Sequence, residues 1–275
     1  MSALILRETR DIGDGLGYRS RAVADDALIL SADKTLADQY TGQLVRKIGV
    51  SVCSGCGIGC IYCFTRKFKD WRSLSLDEII SQVELINDSL ALDSYGYDEV
   101  KISFKQMGDI SLNIGNTCQA IRQMRECWPF LHFVVSTSGV RNPQLFTHLR
   151  QLHDDGIQLR LQFSCHTTSD AERAYLSPNL PMMTFAEIAQ VANHWPGGRV
   201  TLNFVVMDSM TYDVAHLASL FDPAKVFIKV NFLDENQQLV KHGLVDASTT
   251  KVKIFISDLQ NHCFKFAFRH GSLVH

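Results

Sequence analysis

The feature that most constrains this chain is a short loop that holds four of its eight cysteines, Cys53-Ser-Gly-Cys56-Gly-Ile-Gly-Cys60-Ile-Tyr-Cys63. Three of them have the spacing Cys-x3-Cys-x2-Cys, and the glycines between them let the backbone fold tightly round a bulky inorganic group. A closed zinc site or a fully ligated four-iron cluster needs four ligands from the protein. Three thiolates in one loop, Cys56, Cys60 and Cys63, therefore leave one coordination position open for chemistry.

Two ordinary explanations of this loop compete with a cluster. The cysteines could form a structural zinc knuckle, or they could be buried thiols in a glycine-rich turn. Zinc knuckles usually consist of two separated pairs of cysteines, and the later cysteines of this chain form no such pair. The spacing therefore favours an iron–sulfur cluster.

The role of Cys53 is open on sequence alone. Together with Cys56 it forms a Cys-x2-Cys pair, so it could be a fourth ligand, a proton or hydrogen-atom donor near the cluster, or an ordinary buried thiol. Side chains alternate along a strand through Ile48, Val50 and Val52, and this alternation turns Cys53 away from their face. We therefore favour the ordinary thiol.

Length, composition and charge limit the class of protein. The chain has 275 residues, of which 46% are hydrophobic and 20% charged, and this predicts one large domain or a domain with a small appendage. The net charge of −2 gives no general electrostatic reason to bind a long nucleic acid, although a local basic patch stays open. The sequence shows no signal peptide and no apolar run long enough to span a bilayer, so we expect no membrane contact. Eight cysteines in such a chain favour a reducing cytoplasm, where disulfides are not expected.

Residues 1–47 are predicted to form a short β-rich extension. Residues 3–6 and 27–30 resemble short strands, and the glycine-rich, charged residues 11–18 would connect them. Residues 33–40 are interpreted as a helical turn or a loop. A nucleotide-binding interpretation of Gly13, Gly15 and Gly17 fails because no strand precedes them and no helix follows.

After this extension, predicted strands and helices alternate. The strands are predicted at residues 45–52, 99–104, 132–136, 158–164, 199–207, 226–233 and 264–268. A first helix is predicted after a capping box formed by Ser75 and Glu78. Further helices are predicted at residues 114–126, 142–152, 185–195, 212–220 and 250–262. Repeated βα units with apolar strands predict parallel strands covered by helices. Six such units before the tail predict an α/β fold, a partial (β/α)6 barrel over residues 48–275, with its site at the carboxyl ends of the strands.

Small polar residues follow nearly every predicted strand at that edge. They are Gly108 and Asp109 after the second strand, Ser136 at the end of the third, Ser164, Cys165 and His166 at the end of the fourth, and Asn236 after the sixth. Each has an ordinary explanation as a turn or a cap, but their recurrence beside the cysteine loop predicts a binding site. Arg66, Lys67, Lys69 and Arg72 follow the loop, either as a solvated segment or as a grip for an anionic substrate.

The cysteine spacing, with Tyr62 before the last cysteine, resembles the signature of the radical S-adenosylmethionine (SAM) superfamily. Residues 45–270 are similar to its RlmN and Cfr branch, which methylates an adenine of 23S ribosomal RNA. This resemblance implies a [4Fe-4S] cluster on Cys56, Cys60 and Cys63, whose unique iron is chelated by the methionine part of SAM. It also implies reductive cleavage of SAM to methionine and a 5′-deoxyadenosyl radical, with an electron donor such as flavodoxin or ferredoxin.

The same resemblance assigns the residues at the strand ends to SAM binding. Gly108 and Asp109 match the Gly-Glu pair that contacts the amino group of SAM, and Ser136 matches a SAM-binding serine. The segment Ser164-Cys165-His166 matches a Ser-Leu-His segment, and Asn236 matches a SAM-binding asparagine. Asp109 departs from the family by one methylene but still carries a carboxylate that can accept a hydrogen bond from the ammonium group.

Other departures affect methyl transfer. The branch uses a cysteine seven residues before the first cluster cysteine to resolve a covalent RNA adduct, and here that position is Gly49. The branch also uses a methyl-carrying cysteine in a C-terminal loop, and residues 269–275 contain none. The 47 residues before the barrel are also too few for the RNA-binding domain of the branch. The chain therefore resembles the SAM-cleaving part of the family without its methylating parts.

Three hypotheses follow for function. The first is a radical SAM enzyme that takes hydrogen from a small-molecule, nucleotide or peptide substrate, with no nucleic acid or membrane as partner. The second is an RNA methyltransferase in which Cys53, Cys165 or a partner supplies the missing thiol. The third is a noncatalytic iron–sulfur or zinc protein. The polar residues at the strand ends disfavour the third and the missing cysteines disfavour the second, so we expect the first.

Overall fold

A computed structural model describes residues 2–37, 42–233 and 242–269 of the chain. The strands are β1 (Leu4–Asp11), β2 (Gly15–Ala22), β3 (Leu28–Ala37), β4 (Leu44–Val50), β5 (Glu99–Phe104), β6 (His132–Thr137), β7 (Leu159–Ser164), β8 (Val200–Val205), β9 (Val226–Asn231) and β10 (Lys265–Arg269). The α-helices are α1 (Leu76–Ser89), α2 (Ile114–Cys127), α3 (Pro143–Asp154), α4 (Asp170–Leu176), α5 (Phe185–Asn193), α6 (Val214–Leu220) and α7 (Thr249–Asn261). No helix in these ranges is long and apolar enough to cross a membrane.

The chain divides into two compact units. The first comprises Met1–Cys56, Phe68–Ser136 and Thr147–Leu159, and the second comprises Gly57–Lys67, Thr137–Phe146 and Arg160–His275. The cysteine loop contributes to both, because Cys53 and Cys56 belong to the first unit and Cys60 and Cys63 to the second.

The sheet of the first unit joins an antiparallel and a parallel part. Strands β1 to β4 pair antiparallel in chain order, and β5 pairs parallel with β4. One face of β4 and β5 carries Ile48 and Ile102, which are fully buried, and α1 packs on β4. Helix α1 begins at a capping box in which Ser75 and Glu78 exchange hydrogen bonds, as predicted.

Three polar contacts tie the N-terminal strands to the rest of the first unit. The guanidinium of Arg46 on β4 pairs with the carboxylate of Asp33 on β3 at 2.8 Å, and both side chains are buried. The hydroxyl of Ser51 donates to the carbonyl of Leu30 at 2.5 Å. Beyond β4, Arg72 binds the carboxylate of Asp25 at 2.6 Å. The N-terminal strands are therefore held by side chains as well as by the sheet ladder.

The second unit is built on parallel strands. Strands β7 to β10 pair parallel in chain order, and buried and half-buried residues alternate along β8 and β9. Helices α5, α6 and α7 pack in sequence beside them. A small apolar cluster next to the cysteine loop contains Ile61, Leu176, Met207, Met210 and Leu244. Residues of the loop thus belong to the core of this unit.

The predicted α/β class is confirmed, and the strands and helices predicted after residue 44 are all present. Sequence reasoning missed the short helix α4. It was wrong about residues 33–37, which continue β3, because the Asp33 carboxylate binds Arg46 on the next strand. It was also wrong about part of residues 11–18, since β2 starts at Gly15 and pairs with β3. The curvature of a partial barrel and the division at residue 47 stay predictions.

Candidate functional site

In the second unit, the cysteine loop is held by a segment that follows α4. The side-chain amide of Asn179 donates to the carbonyl of Gly57 at 3.2 Å, and its backbone N–H donates to the carbonyl of Ile58 at 3.3 Å. Gly59 has a φ of +70°, and a Cβ at that position would lie 2.2 Å from Nδ2 of Asn179. The loop therefore needs glycine there, which explains one of the glycines between the cysteines.

Two of the predicted ligand thiols lie beside hydroxyl groups. Sγ of Cys60, which is buried, is 3.2 Å from Oγ of Ser177, and Sγ of Cys63 is 3.1 Å from Oγ1 of Thr65. Hydrogen bonds to cluster sulfurs help to set the reduction potential of iron–sulfur centres. The chain thus provides polar contacts to both sulfurs.

Tyr62, between these two cysteines, contacts a predicted SAM-binding residue. Its ring meets the ring of His166 edge to face, with centroids 4.8 Å apart. Burial raises the pKa of Tyr62 well above its usual value, and the neighbouring thiol of Cys60 adds to the shift. Tyr62 therefore stays a neutral phenol and links the cysteine loop to the end of β7.

His166 is fixed in an unusual backbone conformation just after β7. Its φ is +64°, in the left-handed region that residues other than glycine rarely adopt. Nδ1 accepts a hydrogen bond from the N–H of Val205 at 3.1 Å, and the His166 carbonyl accepts one from the hydroxyl of Tyr212 at 2.9 Å. Burial and, to a smaller extent, the charge of Arg173 together lower the pKa of His166 to about 3. The ring is therefore neutral, and its proton lies on Nε2.

Arg173 connects the segments around the ends of β6 and β7. It is 2% exposed and donates to the carbonyls of Ser138 at 2.8 Å and Ser164 at 3.1 Å. Gly139 has a φ of +77°, and a Cβ there would lie 2.9 Å from Nη2 of Arg173. The guanidinium thus positions Ser164 and the turn after β6. Sequence reasoning named Arg173 only as part of a segment that resembles the RlmN and Cfr branch and gave it no role. It did not single out Ser177 or Asn179, because residues of these types in a helix or loop form no recognisable pattern.

Cys165 lies between Ser164 and His166 but is turned into the protein. It is 2% exposed, its N–H donates to the carbonyl of Asn203 at 2.8 Å, and Sγ lies 3.7 Å from the carbonyl of Phe163. Burial raises the pKa of Cys165 to about 11. The thiol is therefore protonated at neutral pH.

In the first unit, the structure brings Cys53 against Gly108. The N–H of Cys53 donates to the carbonyl of Met107 at 3.2 Å. Gly108 has a φ of +86°, and a Cβ there would lie 2.7 Å from Sγ and 2.9 Å from the backbone nitrogen of Cys53. Burial and, to a smaller extent, the charge of Asp109 together raise the pKa of the Cys53 thiol to about 12. These contacts fit an ordinary buried thiol, and its role stays a prediction.

Asp109 caps a short 3-10 helix, Ile110–Leu112. Its Oδ1 accepts hydrogen bonds from the N–H of Ser111 at 3.0 Å and from the Ser111 hydroxyl at 2.7 Å. The carboxylate is 5% exposed. Its orientation is therefore set by the chain itself, independently of any ligand.

Three further predicted residues are placed less specifically. Cys56 is half-buried in the first unit, and Ser136 is half-buried on β6. Asn236 lies outside the described residues. Their assigned roles stay predictions.

The basic segment after the loop does not act as one surface. Arg72 donates to the carboxylates of both Asp25 and Glu78, so it is part of the packing of the first unit. In the second unit, Nη1 of Arg66 is 2.7 Å from Nε2 of His242, and the ammonium of Lys67 lies 3.4 Å from the centre of the Phe64 ring. Arg72 is therefore no longer a candidate for gripping an anionic substrate.

The three cysteines Cys56, Cys60 and Cys63 fit an iron–sulfur cluster because thiolates are its usual ligands. Among the residues that the structure describes, no three His, Cys, Asp or Glu side chains are grouped as metal ligands. None of the eight cysteines forms a disulfide, so all three loop thiols keep their donor atoms. Soft thiolates with hydroxyl contacts are the ligands that iron–sulfur clusters use.

Comparisons with known proteins support this interpretation. No protein-family model matches the chain. A probable dual-specificity RNA methyltransferase RlmN of Dictyoglomus turgidum is 30% identical over 168 residues, which cover 58% of this chain and 45% of that protein. The corresponding protein of Flavobacterium johnsoniae is 27% identical over 221 residues, covering 77% of this chain and 61% of that protein. The chain therefore spans about half the length of these relatives.

The fold has a solved counterpart. A crystal structure of a radical SAM methyltransferase from Sphaerobacter thermophilus superposes with a TM-score of 0.77 at 20% identity and covers 99% of this chain and 78% of that one. The fold matches over nearly the whole chain. Both sequence relatives described above are named as RlmN enzymes. Together, the sequence relatives and the shared fold support the assignment of this chain to the radical SAM superfamily, near the RlmN-type enzymes, a superfamily that uses a [4Fe-4S] cluster and SAM.

Proposed function

We propose that this chain is a radical SAM enzyme that acts on its substrate directly and does not methylate RNA. Cys56, Cys60 and Cys63 would hold the cluster, and the Cys-x3-Cys-x2-Cys loop is the observation that carries the proposal. When bound, the cluster and SAM supply methionine and a 5′-deoxyadenosyl radical that abstracts hydrogen. The reducing electron would come from a donor protein of the flavodoxin or ferredoxin type.

The residues around the loop would then position SAM. Asp109, oriented by Ser111, is proposed to accept a hydrogen bond from the SAM ammonium group next to Gly108. His166 would offer Nε2–H, since Nδ1 already accepts from Val205. Ser136, Ser164, Cys165 and Asn236 complete the set of proposed SAM-binding residues.

The position that matches the resolving cysteine of the RlmN branch is a glycine here. Gly49 lies on β4, and a Cβ at that position would be 2.5 Å from Nε2 of Gln106 and 3.1 Å from its Cγ. Any side chain at position 49 therefore requires Gln106 to move. Gly49 carries no thiol, and the end of the flexible Gln106 side chain lies beside its backbone, which agrees with direct action on the substrate.

The second candidate is an RNA methyltransferase, because the relatives are named as dual-specificity RNA methyltransferases. A cysteine that accepts a methyl group reacts as the thiolate. The two candidate replacement thiols are buried, and burial raises the pKa of Cys53 to about 12 and of Cys165 to about 11. Both are therefore poor methyl acceptors at neutral pH.

The product of SAM turnover separates the two candidates. Reconstituted, chemically reduced protein incubated with SAM should form 5′-deoxyadenosine and methionine, with no stoichiometric S-adenosylhomocysteine. With SAM deuterated in the methyl group, mass spectrometry of the digested protein should find no label on any cysteine. A labelled methyl on one of the eight cysteines would restore the methyltransferase candidate, and absence of both products would contradict the proposal.

Replacement of Asp109 tests its proposed contact with SAM. Loss of a charge-assisted hydrogen bond of about 1.5–3 kcal/mol should weaken SAM binding in Asp109→Ala by roughly 10- to 150-fold. Iron content should not change, because the carboxylate is not a proposed ligand. Asp88→Ala is the matched control, since it removes an exposed carboxylate near the end of α1 in the same unit and should bind SAM within about threefold of the unchanged protein. Equal SAM affinity in Asp109→Ala would assign Asp109 to capping alone.

A further inference from the structure

A buried hydroxyl lies against one of the proposed ligand sulfurs in the second unit. Oγ of Ser177 is 3.2 Å from Sγ of Cys60, and the two residues are 4% and 7% exposed. Of the residues that the structure describes, only Cys60 is hydrogen-bonded to this hydroxyl. The two residues are 117 positions apart in sequence, so the contact is made by the fold and not by a local turn.

The backbone around Ser177 is fixed to the end of α4 and to the cysteine loop. Ser177 is the C-cap of α4, and its N–H donates to the carbonyl of Arg173 at 3.1 Å. The carbonyl of Leu176, one residue earlier, accepts a hydrogen bond from the N–H of Ile61 at 2.9 Å. Asn179, two residues later, donates to the loop backbone through both its side chain and its N–H. The hydroxyl is therefore held beside the sulfur by a segment that is itself bonded to the loop.

A neutral thiol is a poor partner for a buried hydroxyl. The sulfur of a thiol is a weak acceptor, and its S–H is a weak donor. A buried polar group without a strong partner costs free energy, and an apolar residue at the same place would avoid that cost. Packing against Cys60 as a thiol therefore gives little reason for a serine at position 177.

Ligation of iron by Cys60 would change this balance. The sulfur would then belong to a thiolate, which is negatively charged and has no proton to donate. Ser177 would have to be the donor, and a hydrogen bond to a charged acceptor is about twice as strong as one between neutral groups. Burial would strengthen the bond further, because the local dielectric constant is low.

We propose that Ser177 raises the reduction potential of the cluster by donating a hydrogen bond to the Cys60 sulfur, an inference that rests on the proposed function. One electron from the donor protein makes the sulfur ligands more negative, so the bond from Ser177 stabilises the reduced form more than the oxidised form. The proton stays on the serine oxygen, and no covalent bond forms or breaks. Ser177 would thus let a weaker reductant supply the electron that cleavage of SAM requires.

Reduction potentials of the reconstituted protein without SAM test the inference. Ser177→Ala should lower the equilibrium constant of one-electron reduction about threefold to tenfold, and tenfold corresponds to about 59 mV. Ser177→Thr keeps a hydroxyl and should stay within about twofold of the unchanged protein. Ser219→Ala, which removes an exposed hydroxyl on α6 in the same unit, is the matched control and should leave the potential unchanged.

A spectroscopic measurement detects the hydrogen bond itself. In D2O, electron nuclear double resonance of the reduced cluster should find one exchangeable deuteron fewer in Ser177→Ala than in the unchanged protein. Ser177→Thr and Ser219→Ala should retain this deuteron. Ser177→Gly removes the same hydroxyl and replaces Ser177→Ala in both measurements if Ser177→Ala takes up no iron.

Four outcomes would overturn the inference. They are equal potentials for Ser177→Ala and Ser219→Ala, a potential of Ser177→Thr as low as that of Ser177→Ala, no loss of a deuteron in Ser177→Ala, and loss of iron in both Ser177→Ala and Ser177→Gly. The last of these would make Ser177 a residue of loop folding. Iron content and 5′-deoxyadenosine formation of the unchanged protein are measured in parallel. Absence of either would contradict the proposed function, so the two failures are distinguishable.

Discussion

Replacement of Cys60 or Cys63 with alanine should abolish iron binding and all cleavage of SAM. A site with three protein ligands that loses one thiolate retains too few donors to hold a four-iron cluster. Reconstituted protein should contain about four irons per chain before the change and almost none after it. Iron analysis, the visible absorption of the cluster and 5′-deoxyadenosine formation check the result, and Cys56→Ala should behave identically.

Two other cysteines serve as controls for this experiment. Cys118 is buried on α2 in the first unit, and Cys118→Ala should keep both iron and SAM cleavage. Cys53→Ala should also keep the cluster, because Cys53 packs against Gly108 as a protonated thiol. Loss of iron in Cys53→Ala alone would make it a fourth ligand and close the coordination position that SAM requires.

Replacement of Arg46 with methionine should lower the free energy of unfolding by about 3–5 kcal/mol. Arg46 is 1% exposed, binds the Asp33 carboxylate and donates to the carbonyls of Leu90 and Ala91. The change leaves a buried carboxylate without its cation and two carbonyls without donors. Denaturant unfolding of the iron-free protein, followed by circular dichroism, measures the loss.

A surface pair gives the matched control for Arg46. Arg122 and Asp155, in the same unit, form an ion pair at 2.8 Å with side chains that are 38% and 44% exposed. Arg122→Met should cost only about 0–1 kcal/mol. The double change Arg46→Met with Asp33→Leu should recover part of the loss, since no buried charge then remains. Equal midpoints for Arg46→Met and Arg122→Met would show that the buried pair contributes no more than the exposed one.

The parallel strands were predictable because their sequence pattern and their packing agree. Residues 226–231 are rich in β-branched and aromatic side chains, which favour a strand, and buried and half-buried residues alternate along β9 as a strand requires. The capping boxes at Ser75 and Thr184 were equally predictable, because both involve residues three apart in sequence. The N-terminal strands were harder, since polar residues such as Asp33 indicate a loop until their partner on another strand is known.

The candidate site was also predictable only in part. Cys56, Cys60 and Cys63 are adjacent in sequence, so their spacing alone predicts a shared role. Asn179, which shapes the loop, lies more than 100 residues after it, and no local pattern connects the two. Long-range contacts of this kind depend on the folded chain, and a single sequence does not reveal them.

The contacts between the N-terminal strands and β4 bear on how the protein could be shortened. A chain cut before residue 44 would leave Arg46 without Asp33, and the hydroxyl of Ser51 without the carbonyl of Leu30. It would also expose the paired edge of β4, which offers an open strand to other chains. Expression of residues 44–275 alone should therefore yield aggregates, and shortening that ends within β1 is the safer boundary for crystallisation or fusion.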